Sequence, residues 1–244
     1  MSFGLKNAGV IYQRLMNKVF ADKIDRSMEV YVDDMLVKSL TIEQHIDDLA
    51  DTFASFRLFN MILNPEKCTL GVEAGKFLGF IVSRKGIEVN PKKIQAILKM
   101  SSSKSVKDIQ KLTGWIAALS RFIFRSADKC LPFFKLLKNS TRFVWDDQCE
   151  KAFINLKAYL SSPPILISLE ARKKLYLYLA ASEETLTAVL IKEISKDQLP
   201  IYYVNKSFHD SELNYSKIEK LAYSLLMASR KLRQYFQSHH ITVD

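Results

Sequence analysis

Residues 29–37 read "EVYVDDMLV". Two adjacent aspartates interrupt a run whose other members, Val30, Tyr31, Val32, Leu36 and Val37, favour a pleated strand. Burying either carboxylate alone is costly. In a strand-turn-strand hairpin, Asp33 and Asp34 would occupy the turn, where aspartate is locally favoured, with Tyr31, Val32, Leu36 and Val37 in the flanking strands. The charges then project from the rim of a sheet. Two carboxylates held that close repel, and a divalent cation that prefers oxygen ligands, such as Mg²⁺, relieves the repulsion. An Asx-rich turn with no ligand has the same local pattern.

Working outward, Ile11, Leu15 and Val19 recur at i+4 with Tyr12, Met16 and Phe20 beside them, which predicts an amphipathic helix over 7–21. After the aspartates, Thr41 and Gln44 can form a capping box for a helix over 41–58 whose face is Ile46, Leu49, Phe53 and Phe56. Residues 76–90 read as two short strands around Arg84-Lys85-Gly86. Pro91 opens a mainly helical region to about residue 138, with a break at Ser101 to Ser103 and a new helix over 105–123 started by Ser105 and Asp108. A further helix starts near Asp146 and ends before Pro163-Pro164, the clearest candidate boundary, placing a division between 140 and 165. Strands are predicted at 174–180, 186–193 and 199–205, a long helix at 216–236, and a strand at 240–243.

Composition frames the function classes. The chain has 244 residues, 36 Lys and Arg against 26 Asp and Glu, and a formal charge of +10. That excess suits a polyanionic partner or simply a basic, soluble surface. Cys68, Cys130 and Cys149 are too few and too scattered for a disulfide framework or a thiolate metal site. No apolar run has the length of a membrane span, and the N-terminus lacks a secretory layout, so the expectation is an intracellular protein, neither membrane-bound nor secreted.

Helix, Tyr-x-Asp-Asp hairpin and helix alternate as in an α+β polymerase palm. "MSFGLKNAGVIYQRLMNKVF", "VYVDDMLVKS" and "LNPEKCTLGVEAGKFLGFIVSRKGIEVNPKKI" together resemble the reverse transcriptase of plant Ty3/gypsy-class LTR retrotransposons. The resemblance implies that Asp33 and Asp34 are catalytic carboxylates and metal ligands in two-metal nucleotidyl transfer with Mg²⁺ or Mn²⁺. It places Phe3, Gly4, Tyr31 and Val32 around the nucleotide and primer pocket and makes Phe77, Leu78, Gly79 and Phe80 a primer grip. From the residues alone, the first of these segments is equally an ordinary helix start, and the last equally a plain buried hairpin. Ser2 and Gly9 depart from the family, which commonly has proline there.

Residues from about 143 resemble the connection and ribonuclease H part of the same polyproteins, through "FVWDDQCEKAFINLKAYLSSPPIL" and "KKLYLYLAASEETLTAVLIKE". In that segment Trp145 and Phe153 are expected in the core. Where active relatives have Asp-Ala-Ser, this chain has Ala180-Ala181-Ser182, and alanine cannot ligate a metal. In "NYSKIEKLAYSLLMASRKLRQYF" the next acidic position falls on Leu221, with Glu219 about 200° away around the helix. Asp244 stands near the third.

The resemblance therefore implies an α+β fold: a partial palm over 1–90 with the YVDD and primer-grip-like hairpins, a thumb-like helical region over 91–142, and a connection with an incomplete ribonuclease H-like unit over 143–244. Lys92, Lys93, Lys99, Lys104, Lys107 and Lys111 would face phosphates in the thumb. The implied partners are an RNA or DNA template-primer and, for the full-length parent, deoxynucleotides, in the cytoplasm or a virus-like particle. Fingers and the first half of the palm have no counterpart, and a truncated open reading frame accounts for this, so the fragment alone is expected to be inactive. The alternative is a non-catalytic nucleic-acid-binding or vestigial retrotransposon remnant.

Overall fold

The computed structural model describes residues 6–138, 143–169, 173–194 and 197–244. The chain is α+β and divides into two compact units, Met1–Ser83 and Arg84–Asp244.

In the first unit, helix α1 (Ala8–Val19) leads to the antiparallel pair β1 (Met28–Tyr31) and β2 (Asp34–Val37), followed by helix α2 (Ile42–Leu58). The core is Met16, Val19, Phe20, Met28 and Phe56, with the Phe20 and Phe56 rings edge-on at 5.2 Å. Both helices turn a narrower stripe inward than their apolar residues suggest. Ile11 and Leu15 stay exposed on α1, as does Ile46 on α2, because the inward arcs are taken by Tyr12, Met16 and Phe20 and by Phe53 and Phe56. Thr41 caps α2 by accepting the Gln44 N–H at 3.2 Å. Lys23, almost fully buried, is held by Asp22 and Asp51 at 3.0 and 2.9 Å. A second antiparallel pair, β3 (Ala74–Phe77) and β4 (Phe80–Ser83), completes the unit.

The second unit begins with β5 (Gly86–Val89). Gly86 has φ +137°, and a side chain there would collide with the Leu166 carbonyl. Ile87 exchanges both backbone hydrogen bonds with Leu166, at 2.8 and 3.0 Å. Helices α3 (Pro91–Leu98) and α4 (Val106–Leu119) follow, capped by Asn90 and Ser105. The expected face of α4 is buried in full: Ile109, Leu112, Ile116 and Leu119. The helix stops at Leu119, however, and residues to Phe122 tighten into a 3₁₀ turn. Helices α5 (Ser126–Lys138) and α6 (Asp147–Leu160) complete the helical part, with Asp146 capping α6 through the Cys149 N–H at 2.8 Å.

The sheet has strand order β8-β7-β6-β9, from β6 (Leu175–Ala181), β7 (Thr185–Ile194), β8 (Asp197–Ser207) and β9 (Ile241–Val243). β6, β7 and β8 form an antiparallel meander, and β9 lies parallel to β6. The expected long helix breaks into α7 (Lys217–Lys231) and α8 (Arg233–Ser238) around Leu232, which is buried in the core with Leu175, Leu177, Ala188 and Leu190.

The compact units divide at Ser83 and Arg84. Polar ties also cross the 140–165 stretch expected to hold a boundary. Asn205 on β8 accepts the Ser126 N–H at 3.1 Å and donates to the Ile123 carbonyl at 3.1 Å, fixing the α4–α5 link to the sheet.

Candidate functional site

The aspartate hairpin differs from expectation in register. Tyr31 pairs with Asp34, so the turn is Val32–Asp33, Val32 leaves the strand, and Asp34 opens β2. Two-residue loops of this kind match the strand twist when the first central residue has positive φ, and Val32 has φ +49°. A β-branched residue there is strained, at a cost on the order of 1–3 kcal/mol. Both carboxylates are exposed at the rim, beside Tyr31, which is also exposed.

One α1 side chain holds that strained turn. The Gln13 amide oxygen accepts the Val32 N–H at 2.6 Å, and its nitrogen donates to the Val30 carbonyl at 3.1 Å and to Asn17 Oδ1 at 2.9 Å. A side-chain amide with one donor and one acceptor so placed replaces the neighbouring strand that a two-stranded ribbon lacks. Sequence reading missed Gln13; the only signal was an amide at the border of the apolar stripe. Gln13→Leu is expected to destabilise the Met1–Ser83 unit by about 1–2 kcal/mol, since two partly buried backbone groups lose their partner. Val32→Gly in that background should recover part of the loss, glycine accepting positive φ freely. Urea titration reads both, and unchanged midpoints would refute the role.

The expected primer-grip residues form a second two-residue hairpin. Phe77 pairs with Phe80, and the turn residues Leu78 and Gly79 both have positive φ, +50° and +76°, the requirement of a type I′ turn. Its tip meets the aspartate hairpin: the Leu78 N–H donates to Asp34 Oδ2 at 3.2 Å. A close approach of β2 and β3 permits this, since a side chain at Gly75 would come within 2.9 Å of Leu36 Cδ1. The structure thus brings together Tyr31, Val32, Asp33, Asp34 and the 77–80 turn, while Phe3 and Gly4 lie outside the described residues. The donor set suits a hard divalent cation in kind and falls short in number. Among the described residues no group of three or more His, Cys, Asp or Glu comes together, and one Asp34 oxygen is already engaged.

In the second unit, Ala180 stands opposite Thr187 and faces a cavity of about 210 Å³ that Arg125, Asp128, Ser182 and Thr185 also line. Among its described lining residues the one carboxylate is Asp128, which accepts from Arg125 Nε at 2.6 Å, from Ser182 Oγ at 3.3 Å and from the Thr185 hydroxyl. Leu221 is half-buried in α7. Glu219 closes a capping box by accepting the Ser216 N–H at 2.7 Å, a bond that holds its carboxyl below the usual range. Asp244 continues alongside β6, bonded through its backbone to Leu177 and Leu179, both at 3.0 Å. Of the three residues where the resemblance expects acids, Ala180, Leu221 and Asp244, one is an acid.

Residues 1–82 match the family described as reverse transcriptase (RNA-dependent DNA polymerase), and residues 145–243 match the RNase H-like domain found in reverse transcriptase. The chain accordingly carries reverse transcriptase and RNase H-like domains of the kind joined in retrotransposon polyproteins. Among curated relatives, the retrovirus-related Pol polyprotein from transposon 297 of Drosophila melanogaster is 32% identical over 96% of this chain and 22% of its own length. That from transposon 412 of the same fly is 30% identical over 100% and 20%. The transposon Tf2-3 polyprotein of Schizosaccharomyces pombe is 27% identical over 98% and 18%. The chain spans about a fifth of the length of these relatives. The foamy viral protease-reverse transcriptase in complex with RNA/DNA hybrid shares the fold, with TM-score 0.87 at 19% identity over 100% of this chain and 33% of that one. Its complex with dsDNA gives 0.85 at 20% identity, over 100% and 51%.

Proposed function

We propose that this chain is a segment of the RNA-directed DNA polymerase of a Ty3/gypsy-class element of plant type, in which Asp33 and Asp34 serve template-directed addition of deoxynucleotides to a primer. The observation that carries the reading is the Val32–Asp33 turn, two exposed carboxylates on a strained backbone clamped by Gln13, inside the stretch that matches reverse transcriptase. Asp33 and Asp34 would hold Mg²⁺ or Mn²⁺ from one side only. A cation held there supplies Lewis-acid activation of a hydroxyl and neutralises phosphate charge. Residues 1–90 would act as partial palm, 91–142 as thumb and 143–244 as connection with an RNase H-like unit. In the thumb, Lys92, Lys99, Lys104, Lys107 and Lys111 are exposed and Lys93 half-buried, with the Lys111 ammonium 4.9 Å from the centre of the Trp115 ring. These cations suit the sugar–phosphate backbone of an RNA or DNA template-primer. With Ala180 and Leu221 in place of acids, the RNase H-like unit would bind without hydrolysing.

The 244-residue chain is expected to bind a labelled primer-template, with affinity falling roughly 10²–10³-fold between 50 and 200 mM salt if most of these lysines meet phosphates. It should give no primer extension, because its described carboxylates come from one place where a two-metal site needs two. Asp33→Asn with Asp34→Asn should weaken Mn²⁺ binding and leave nucleic-acid affinity unchanged or slightly raised. Primer extension abolished by that double substitution would refute the expected inactivity. Failure to bind nucleic acid at low salt would refute the functional reading.

A further inference from the structure

Two strained turns lie next to one another in the Met1–Ser83 unit. Val32 and Leu78 each take the first place of a two-residue turn, and each has positive φ, +49° and +50°. Neither is a glycine, so each turn stores strain that its surroundings must hold. Such a loop also leaves the N–H of its first residue outside the strand ladder. In both hairpins a side chain from elsewhere accepts that N–H. Gln13 Oε1 does so for Val32 at 2.6 Å, and Asp34 Oδ2 does so for Leu78 at 3.2 Å, across 44 residues of chain. The second bond sets the relation of the two hairpins, because β1–β2 and β3–β4 belong to separate sheets and no ladder joins them among the described residues. The approach beside it is close: a side chain at Gly75 on β3 would come within 2.9 Å of Leu36 Cδ1 on β2.

We propose that Asp34 is a positioning residue: its carboxylate docks the Leu78–Gly79 turn against the aspartate hairpin and so fixes the backbone of that turn beside the place where a cation and a primer end would lie. The inference rests on the polymerase reading above and adds to it a role for Asp34 that a metal ligand alone does not have. A charged acceptor suits the task, since a hydrogen bond to a carboxylate is roughly twice as strong as one between neutral groups. The bond also accounts for a leucine at φ +50°, because the strained tip is held from outside its own hairpin.

The test uses the full chain, with amide exchange and Mn²⁺ broadening read by ¹H–¹⁵N nuclear magnetic resonance. In Asp34→Ala the Leu78 amide is expected to exchange about 5–10-fold faster, as the loss of one hydrogen bond implies. Asp34→Asn keeps an acceptor oxygen and loses the charge, and should stay within about threefold of the parent. Mn²⁺ added to the parent should broaden the amides of Asp33, Leu78 and Gly79 together. In Asp34→Ala, at a Mn²⁺ concentration that broadens Asp33 to the same degree, Leu78 and Gly79 should stay sharper, because the turn has come away; loss of a metal ligand alone would not separate them. Unchanged Leu78 exchange in Asp34→Ala would overturn the proposal, and so would Leu78 and Gly79 broadened as in the parent. Equal acceleration in the alanine and asparagine variants would overturn it too, since charge and not the acceptor would then be responsible. A parent that shows no broadening at Asp33, while Asp34→Ala still frees the Leu78 amide, would keep the docking role and refute the cation role of the pair.

Discussion

Phe153→Ala is expected to destabilise the Arg84–Asp244 unit by about 3–5 kcal/mol, the range for removing a buried aromatic ring from a packed core. Phe153 on α6 is 2% exposed and meets Trp145 edge-on at 5.8 Å; Trp145 in turn stacks on Phe133 of α5 at 5.8 Å with 11° between the planes. Lys157 spans the Phe153 ring at 4.4 Å and donates to the Met100 carbonyl at 2.5 Å, tying in the residues after α3. The cluster therefore joins α5 and the residues after α3 to α6, the helix that leads into the sheet. Urea unfolding followed both by tryptophan fluorescence and by circular dichroism should show a single transition for this unit, moved to lower urea in the variant. Strand signal that outlasts the tryptophan signal would instead show that residues from 143 onward fold apart from the helices before them.

Glu212→Gln should lower stability at neutral pH by about 2 kcal/mol and flatten a specific part of the acid limb. Burial would raise the Glu212 pKa, but the Lys206 ammonium, the Tyr223 hydroxyl and the His209 N–H outweigh it and hold the carboxyl at about 2, against 4.5 unperturbed. The contacts are Lys206 Nζ at 2.6 Å, Tyr223 OH at 2.6 Å and the His209 N–H at 3.0 Å. A group with a depressed folded pKa contributes fully above its unfolded value, and the contribution is lost as pH falls through the folded one. The window here runs from about pH 4.5 down to about 2. The side chain is 18% exposed, so solvent screening keeps the effect below the full value of the shift. Melting temperatures of parent and variant should converge as pH falls through that window, and parallel curves would sink the assignment.

The surroundings of Asp33 and Asp34 differ from those of Ala180. Around Asp33 and Asp34, the turn is set by the strained Val32, the Gln13 clamp and the Leu78 N–H on Asp34. Around Ala180, hydroxyls and the Arg125–Asp128 pair fill the space, and the lone carboxylate is spent on neighbours. Aspartate in place of Ala180 would put a second carboxylate into a cavity where Arg125, the one cation among the described lining residues, is already paired with Asp128.

Much of this protein was legible in residue order, because local rules decide local elements. Ser105, Asp146 and Ser216 cap the helices they were expected to start, since a side-chain oxygen one step before a helix satisfies N–H groups that have no other partner. Pro91 and Pro163-Pro164 mark a helix start and a helix end for the same covalent reason. The β6, β7 and β8 strands and the buried face of α4 followed from spacing. What the tertiary structure alone decided depends on partners far away in sequence. Register moved Val32 into the turn and Asp34 into a strand, because the pairing of Tyr31 with Asp34 leaves two residues to close the hairpin. Gln13, 17 and 19 residues from the groups it holds, reads locally as an ordinary helix amide. The unit boundary fell at Ser83 and Arg84 although proline marks a stop at 163, since a proline ends a helix but cannot cut hydrogen bonds such as those of Asn205 to residues 123 and 126. Local chemistry fixes where elements begin and end; which elements share a core is set by contacts that no stretch of sequence contains on its own.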